Sequence, residues 1–140
     1  MTENNKINSD CYVFLLSKAY QKGHQMVQKR LEPLGLTNIQ YIVLEVLWHK
    51  EGLTAGELGK RLNIDKATLS GILDRMSDSD WINKMQDGRD RRMSRLFPSG
   101  KSIDMKDRLK KEREAANEEL LSGFTSEERV LLRRLLLGLL

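Results

Sequence analysis

Six basic residues, Lys84, Arg89, Arg91, Arg92, Arg95 and Lys101, crowd one short stretch that holds two acids, Asp87 and Asp90. The local excess of four equals the formal charge of the whole chain, +4. So much arginine makes a poor core element and a good probe for a polyanion, because a guanidinium forks onto phosphates and enters a narrow minor groove. The competing reading is a solvated turn with local Asp–Arg pairs. Upstream, Lys66, Thr68, Ser70, Asp74 and Arg75 face outward from one expected helix, offering small hydroxyls and cations. Those are the groups that read base edges and phosphates in a major groove about 12 Å wide. An ordinary helical hairpin with a solvated face is the alternative.

Other chemistry is sparse. A single cysteine, Cys11, gives neither an intrachain disulfide nor a zinc cluster, and two histidines, His24 and His49, make a metal site unexpected. No cofactor is expected. No Ser–His–acid set, carboxylate pair or phosphate-cradling glycine loop stands out, so an enzyme is not expected. A Cys11 nucleophile would need a second group, and His24 on the same helix is weak support. The N-terminal MTENNKINSD is polar and lacks an apolar signal core, and no run reaches the length of a membrane span. A soluble cytoplasmic protein without a membrane partner is expected. The pI near 9.3 permits nucleic acid as a partner.

The elements that position these groups are mostly helices. Apolar residues at Val13, Leu16, Tyr20, Val27 and Leu31 predict a helix over 10–31, ended by Pro33 and Gly35. Thr37 with Gln40 is a capping box that opens a second, apolar helix. Leu53 reads as a short strand able to pair with a later hairpin. Thr54 with Glu57 caps a short helix, Asn63-Ile64 turns, and Asp65 caps a helix from Lys66 to about Ser79 with Leu69, Ile72, Leu73 and Met76 inward. Ile82–Gln86 and Met93–Phe97 pair as strands around Asp87-Gly88, where glycine supplies the positive φ of a tight turn. Pro98 suits the first turn of a long helix reaching about Phe124, with Ile103, Leu109, Ala116 and Leu120 on its apolar stripe. Thr125 with Glu128 caps a leucine-dense last helix. A helix of that kind is rarely left exposed on a monomer.

Helix, turn, polar-faced helix and arginine-tipped hairpin form the layout of a winged helix. The expected fold class is therefore mainly α with a small β-hairpin wing, in one domain over 1–140. Its helix-turn-helix falls at about 54–77 and its wing at about 82–97, inside a lobe over 37–97.

TAGELGKRLNIDKATLSGILDRM (Thr54 to Met76), the link ending Trp81-Ile82, and DGRDRRMSRLFPSGK (Asp87 to Lys101) resemble the MarR family of bacterial transcription regulators. The last stretch is similar to the family's wing signature running into the next helix. The resemblance implies a homodimer with dimerisation helices over 10–36 and 98–140. It implies a palindromic double-stranded operator, usually repression, and release by a small, often phenolic or aromatic, ligand. The implied DNA-contacting set is Thr54, Lys66, Thr68, Ser70, Arg75, Asp87, Arg89, Arg91 and Arg92. Arg89 is expected in the minor groove, oriented by Asp87 through the family's Asp-x-Arg pattern; the alternative is that the pair only stabilises the hairpin and Arg91 or Arg92 makes the contact. His24 and Tyr41, with Cys11, are candidates to line the ligand cavity. Each could equally be a packing residue. The organic-peroxide-sensing branch of the family carries its cysteine a little beyond Cys11, and Val27 and Asn38 stand where its partner tyrosines fall. A redox-sensing regulator using Cys11 and a winged helix used only for protein contacts are the alternatives.

Overall fold

The computed structural model describes residues 9–140, so the polar N-terminal stretch lies outside the described residues over 1–8. Six α-helices and three strands follow in order: α1 Tyr12–Leu31, α2 Asn38–His49, β1 Leu53–Thr54, α3 Ala55–Leu62, α4 Lys66–Asp78, β2 Ile82–Gln86, β3 Ser94–Pro98, α5 Gly100–Leu120 and α6 Ser126–Leu137. A single 3-10 turn, Glu32–Leu34, joins α1 to α2 and ends on Gly35 at φ 79°. All three expected capping boxes form, at Thr37/Gln40, Thr54/Glu57 and Thr125/Glu128. Each pairs two backbone N–H groups that the helix start leaves without partners.

The sheet runs β1-β3-β2 and is antiparallel throughout. Leu53 lies opposite Leu96, which makes β1 the short third strand anticipated at Leu53. Ile82 pairs with Pro98 and Gln86 with Ser94, so β2 and β3 form the wing. The core sits where this sheet meets the helices: Leu44, Leu47, Leu58, Leu69, Met76, Trp81, Ile82 and Leu96 are all essentially buried. Removing a side chain of this size from such a site costs about 3–5 kcal/mol for an aromatic and about 2–5 kcal/mol for an aliphatic residue.

Three sequence expectations need correction. Pro98 closes β3, Ser99 is the N-cap of α5, and the helix stops at Leu120 rather than near Phe124. Proline lacks the N–H that a central ladder needs, yet as the last paired residue it sits where pairing stops, so its helix-starting preference was overridden by the sheet. Gly88 does not take a positive φ. The strands are joined by a seven-residue loop, Asp87–Met93, closed by Asp87 N–H to Met93 O (2.9 Å) and Met93 N–H to Asp90 O (3.0 Å). A loop of that length needs no left-handed residue at its tip. Finally, the stripes on α1 and α5 are only partly used. Val27, Leu31, Leu109 and Ala116 are buried, whereas Val13, Tyr20 and Ile103 are more than half exposed.

Gly23 lies in mid-α1, where a Cβ would stand 3.2 Å from Leu120 Cδ2. The glycine lets α5 approach α1 closely, which offsets its helix-propensity penalty of about 1 kcal/mol.

Candidate nucleic-acid interface

The recognition surface is built outward from two caps and a turn. Thr54 Oγ1 accepts from Glu57 N–H at 3.2 Å and starts α3. Asn63 ends α3 in the left-handed region, φ 53°, which asparagine tolerates better than most residues. The chain then turns into Asp65, the N-cap of α4. Asp65 accepts from the Thr68 backbone N–H (2.9 Å) and hydroxyl (2.7 Å). The backbone bond first, then the hydroxyl, holds its carboxyl below the usual range. Leu69, Ile72, Leu73 and Met76 face the core, which leaves Lys66, Thr68, Ser70, Asp74 and Arg75 exposed. Thr68 thus spends its hydroxyl hydrogen on the cap and retains only lone pairs and a methyl for a base edge.

Between α4 and the wing lies a groove of about 430 Å³. It gathers Thr54, Lys66, Ser70 and Arg92 from the predicted set, and adds Lys84 and Ser94. Thr68, Arg75, Arg89 and Arg91 do not line it; they lie on the surrounding exposed surface. Arg75 folds back along α4, its guanidinium nitrogen 3.6 Å from where a Cβ on Gly71 would be. Lys84 on β2 bonds Asp74 on α4 and braces the wing against the helix. The charge count of the stretch included Lys84 but gave it no role, because its facing partner lies on another element.

The wing loop is organised differently from the Asp-x-Arg expectation. Asp87 does not hold the Arg89 guanidinium. Its Oδ1 accepts from the Arg89 backbone N–H at 3.2 Å, and its Oδ2 meets Arg95 Nη2 at 3.5 Å. Residues two apart share a face only on an extended strand, and Asp87 is already in the turn. Arg92 pairs with Asp90 through Nε at 3.3 Å while 92% of its side chain stays exposed. Among the described residues, Arg89 and Arg91 have no side-chain partner. Their charges stand free on the loop.

A second cavity, about 600 Å³, lies among α1, α2, α5 and α6. His24 lines it; Tyr41 and Cys11 do not. Tyr41 is buried beneath Arg113, whose guanidinium carbon is 4.8 Å from the ring centre. Burial, then the neighbouring Glu45, pushes its phenol up to about 12. Cys11 is exposed at the N-cap of α1. Three buried polar atoms on cavity residues lack a partner among the described residues: His24 Nδ1, Asn38 Oδ1 and Arg113 Nη1. Sequence reasoning missed Asn38 and Arg113 as cavity residues. The signal for Arg113 was present, since it falls in the Leu109–Ala116–Leu120 stripe where an apolar residue is expected.

Residues 36–94 match the MarR family model. The chain is 30% identical over 103 residues to an uncharacterized HTH-type transcriptional regulator, YybA, of Bacillus subtilis (strain 168), covering 74% of this chain and 69% of that one. The chain belongs to the MarR family. It is a DNA-binding transcriptional regulator of that family and not an enzyme. It is also 38% identical over 97 residues to the HTH-type transcriptional regulator TtmR of Methylorubrum extorquens (strain PA1), covering 69% of this chain but only about half (48%) of that relative. In fold it is similar to a cysteine-to-serine mutant of MarR from E. coli complexed with operator DNA. The TM-score is 0.85 at 24% identity, over 91% of this chain and 92% of that one. No helix among the described residues is long and apolar enough to cross a membrane.

Proposed function

We propose that this MarR-family protein is a homodimeric repressor that binds a palindromic operator through α4 and the wing, and that a small ligand in the α1–α2–α5–α6 cavity releases it. The observation that carries the DNA-binding reading is the groove between α4 and the wing, lined by Lys66, Lys84 and Arg92 together with Ser70, Ser94 and the buried capping residue Thr54. Cations on the rim suit phosphates and hydroxyls suit base edges. In this assignment Ser70 reads bases, Lys66 and Arg75 sit on phosphates, Thr68 contributes its acceptor and methyl, and Arg89 and Arg91 reach the flanking minor groove. A protein of similar fold is complexed with operator DNA, which supports the DNA-binding reading. The expected outcome of selecting bound fragments from random-sequence duplexes is a palindrome with half-sites about 10 base pairs apart. Enrichment of no sequence would refute sequence-specific binding.

Dimerisation is supported by α6, which buries no residue within the chain and leaves Leu131, Leu135 and Leu137 open, and by Tyr12, Val13 and Tyr20 on α1. Ligand release is supported by the three unpartnered polar atoms of the cavity, because a buried donor or acceptor left unmade costs about 1–3 kcal/mol. A flat, mostly apolar molecule with an acidic or phenolic oxygen to accept from Arg113 and a hydroxyl to donate to Asn38 Oδ1 would satisfy two of them. Thermal-shift screening of small aromatic acids and phenols tests this: a hit should stabilise the wild type, lower its affinity for the selected duplex, and do neither in Arg113→Met. A hit that acts equally on both proteins would place the ligand elsewhere.

A further inference from the structure

The C-terminus of α4 and the N-terminus of α5 are fastened together. Three successive carbonyls after α4 each accept from the start of α5. Lys101 Nζ donates to Ser79 O at 2.9 Å, Ser99 Oγ to Asp80 O at 2.6 Å, and Ser99 N–H to Trp81 O at 3.1 Å. The Lys101 ammonium also lies 4.1 Å from the centre of the Trp81 ring, which is itself 1% exposed. Asp80 between them takes φ 61°, a left-handed value unusual for a residue with a side chain. A cation at the end of α4 meets the partial negative charge that the helix leaves on its last carbonyls.

Lys84 braces a different face of α4 through Asp74. The junction is where the C-terminal end of α4 is tied directly to α5, while α3 and β2 pack along the rest of the helix. Beyond it α5 packs along α1, with Leu109 and Ala116 buried. At 13 residues α4 is about 20 Å long, so a tilt of about 10° at its C-terminus would carry Lys66 and Ser70 about 3 Å. That displacement exceeds the tolerance of a hydrogen bond to a base edge.

We infer that Lys101 is a positioning residue for DNA recognition: by bridging Ser79 O and the Trp81 ring it holds α4 at the angle that base reading requires, without touching DNA. The inference rests on the DNA-binding reading above. The simpler role for an exposed lysine next to a wing is a phosphate contact, but this ammonium is already shared between a carbonyl and an aromatic face.

The two roles separate in a titration of wild type, Lys101→Met and Lys101→Arg against the duplex that the wild type enriches and against mixed-sequence duplex DNA, across salt concentrations. Methionine keeps the apolar stem over Trp81 and removes the cation. The expected result is about a tenfold loss on the enriched duplex, little change on mixed DNA, an unchanged salt slope, and recovery in Lys101→Arg. A uniform loss on both DNAs, with a slope shallower by about one charge, would overturn the inference in favour of a phosphate contact. So would wild-type behaviour in Lys101→Met. A DNA-free measurement keeps the two readings distinct. Amide exchange across Met76–Trp81 should quicken in Lys101→Met and return in Lys101→Arg. Equal exchange in all three proteins overturns the positioning role even if no duplex is preferred.

Discussion

The Asp87 carboxylate lies 3.5 Å from the Arg95 guanidinium, so the arginine it fixes is on β3 and not at the wing tip. Arg95 in turn donates through Nη1 to Gly52 O at 2.7 Å. The pair ties the start of the wing loop to the edge of β1. Only 15% of the Asp87 side chain is exposed. Arg89 receives nothing from Asp87 but a backbone anchor.

This relationship changes what wing substitutions should do. Arg89→Ala removes a free cation, and we expect it to weaken operator binding by about 1–3 kcal/mol, most at A·T-rich flanks where the groove is narrow. Asp87→Ala removes a negative charge, which by bulk electrostatics should tighten binding. Because it unties Arg95 and the loop backbone, we expect weaker binding instead. Fluorescence anisotropy at fixed salt decides the matter, and tighter binding by a normally folded Asp87→Ala would show that only net charge counts.

On α4 the expected split is between reading and anchoring. Ser70→Ala should change the order of preference among operator variants. Lys66→Ala should weaken all of them alike and reduce the salt slope by about one. The readout is a panel of single-base operator variants titrated at several salt concentrations. Uniform effects from both substitutions would remove Ser70 from the base-reading set.

Light scattering should give a mass twice the 16.2 kDa of one chain. Leu135 is 52% exposed and no residue of α6 is fully buried within the chain. Leu135→Glu is therefore expected to yield a folded monomer with an intact helical circular-dichroism spectrum and little operator affinity. A wild-type protein that stays monomeric at micromolar concentration would refute the dimer.

The buried phenol of Tyr41 predicts a signature at high pH. Its folded value, about 12, lies above the ordinary value of 10.0, so the fold favours the protonated form. The stability this contributes is complete below about 10 and is lost as pH climbs through about 12. Other groups titrate there too, so the test is the difference in urea midpoint between wild type and Tyr41→Phe. That difference should move against the wild type between pH 9 and pH 11, both approximate settings on either side of the ordinary tyrosine value. A constant difference would mean that Tyr41 ionises as freely as in the unfolded chain.

Local rules written in neighbouring residues determined a good deal of this protein. The capping boxes at Thr37, Thr54 and Thr125 and the Asp65 cap all involve partners within three residues, the Asn63 turn closes on Gly59 four residues back, and each formed as its pattern dictates. The inward faces of α3 and α4 followed from helical periodicity alone. What tertiary structure decided were the pairings between residues far apart in the chain. Asp87 is drawn to Arg95 because β3 brings that guanidinium to it, and Lys84 meets Asp74 across two elements. Pro98 joins the sheet because Ile82 lies opposite. Lys101 finds Ser79 O from 22 residues away. Arg113 occupies an apolar stripe that ends in a cavity only once α1, α2 and α6 surround it. Spacing along a chain limits which neighbours share a face, but a side chain's partner is set by whatever the packed core places within about 3 Å of it.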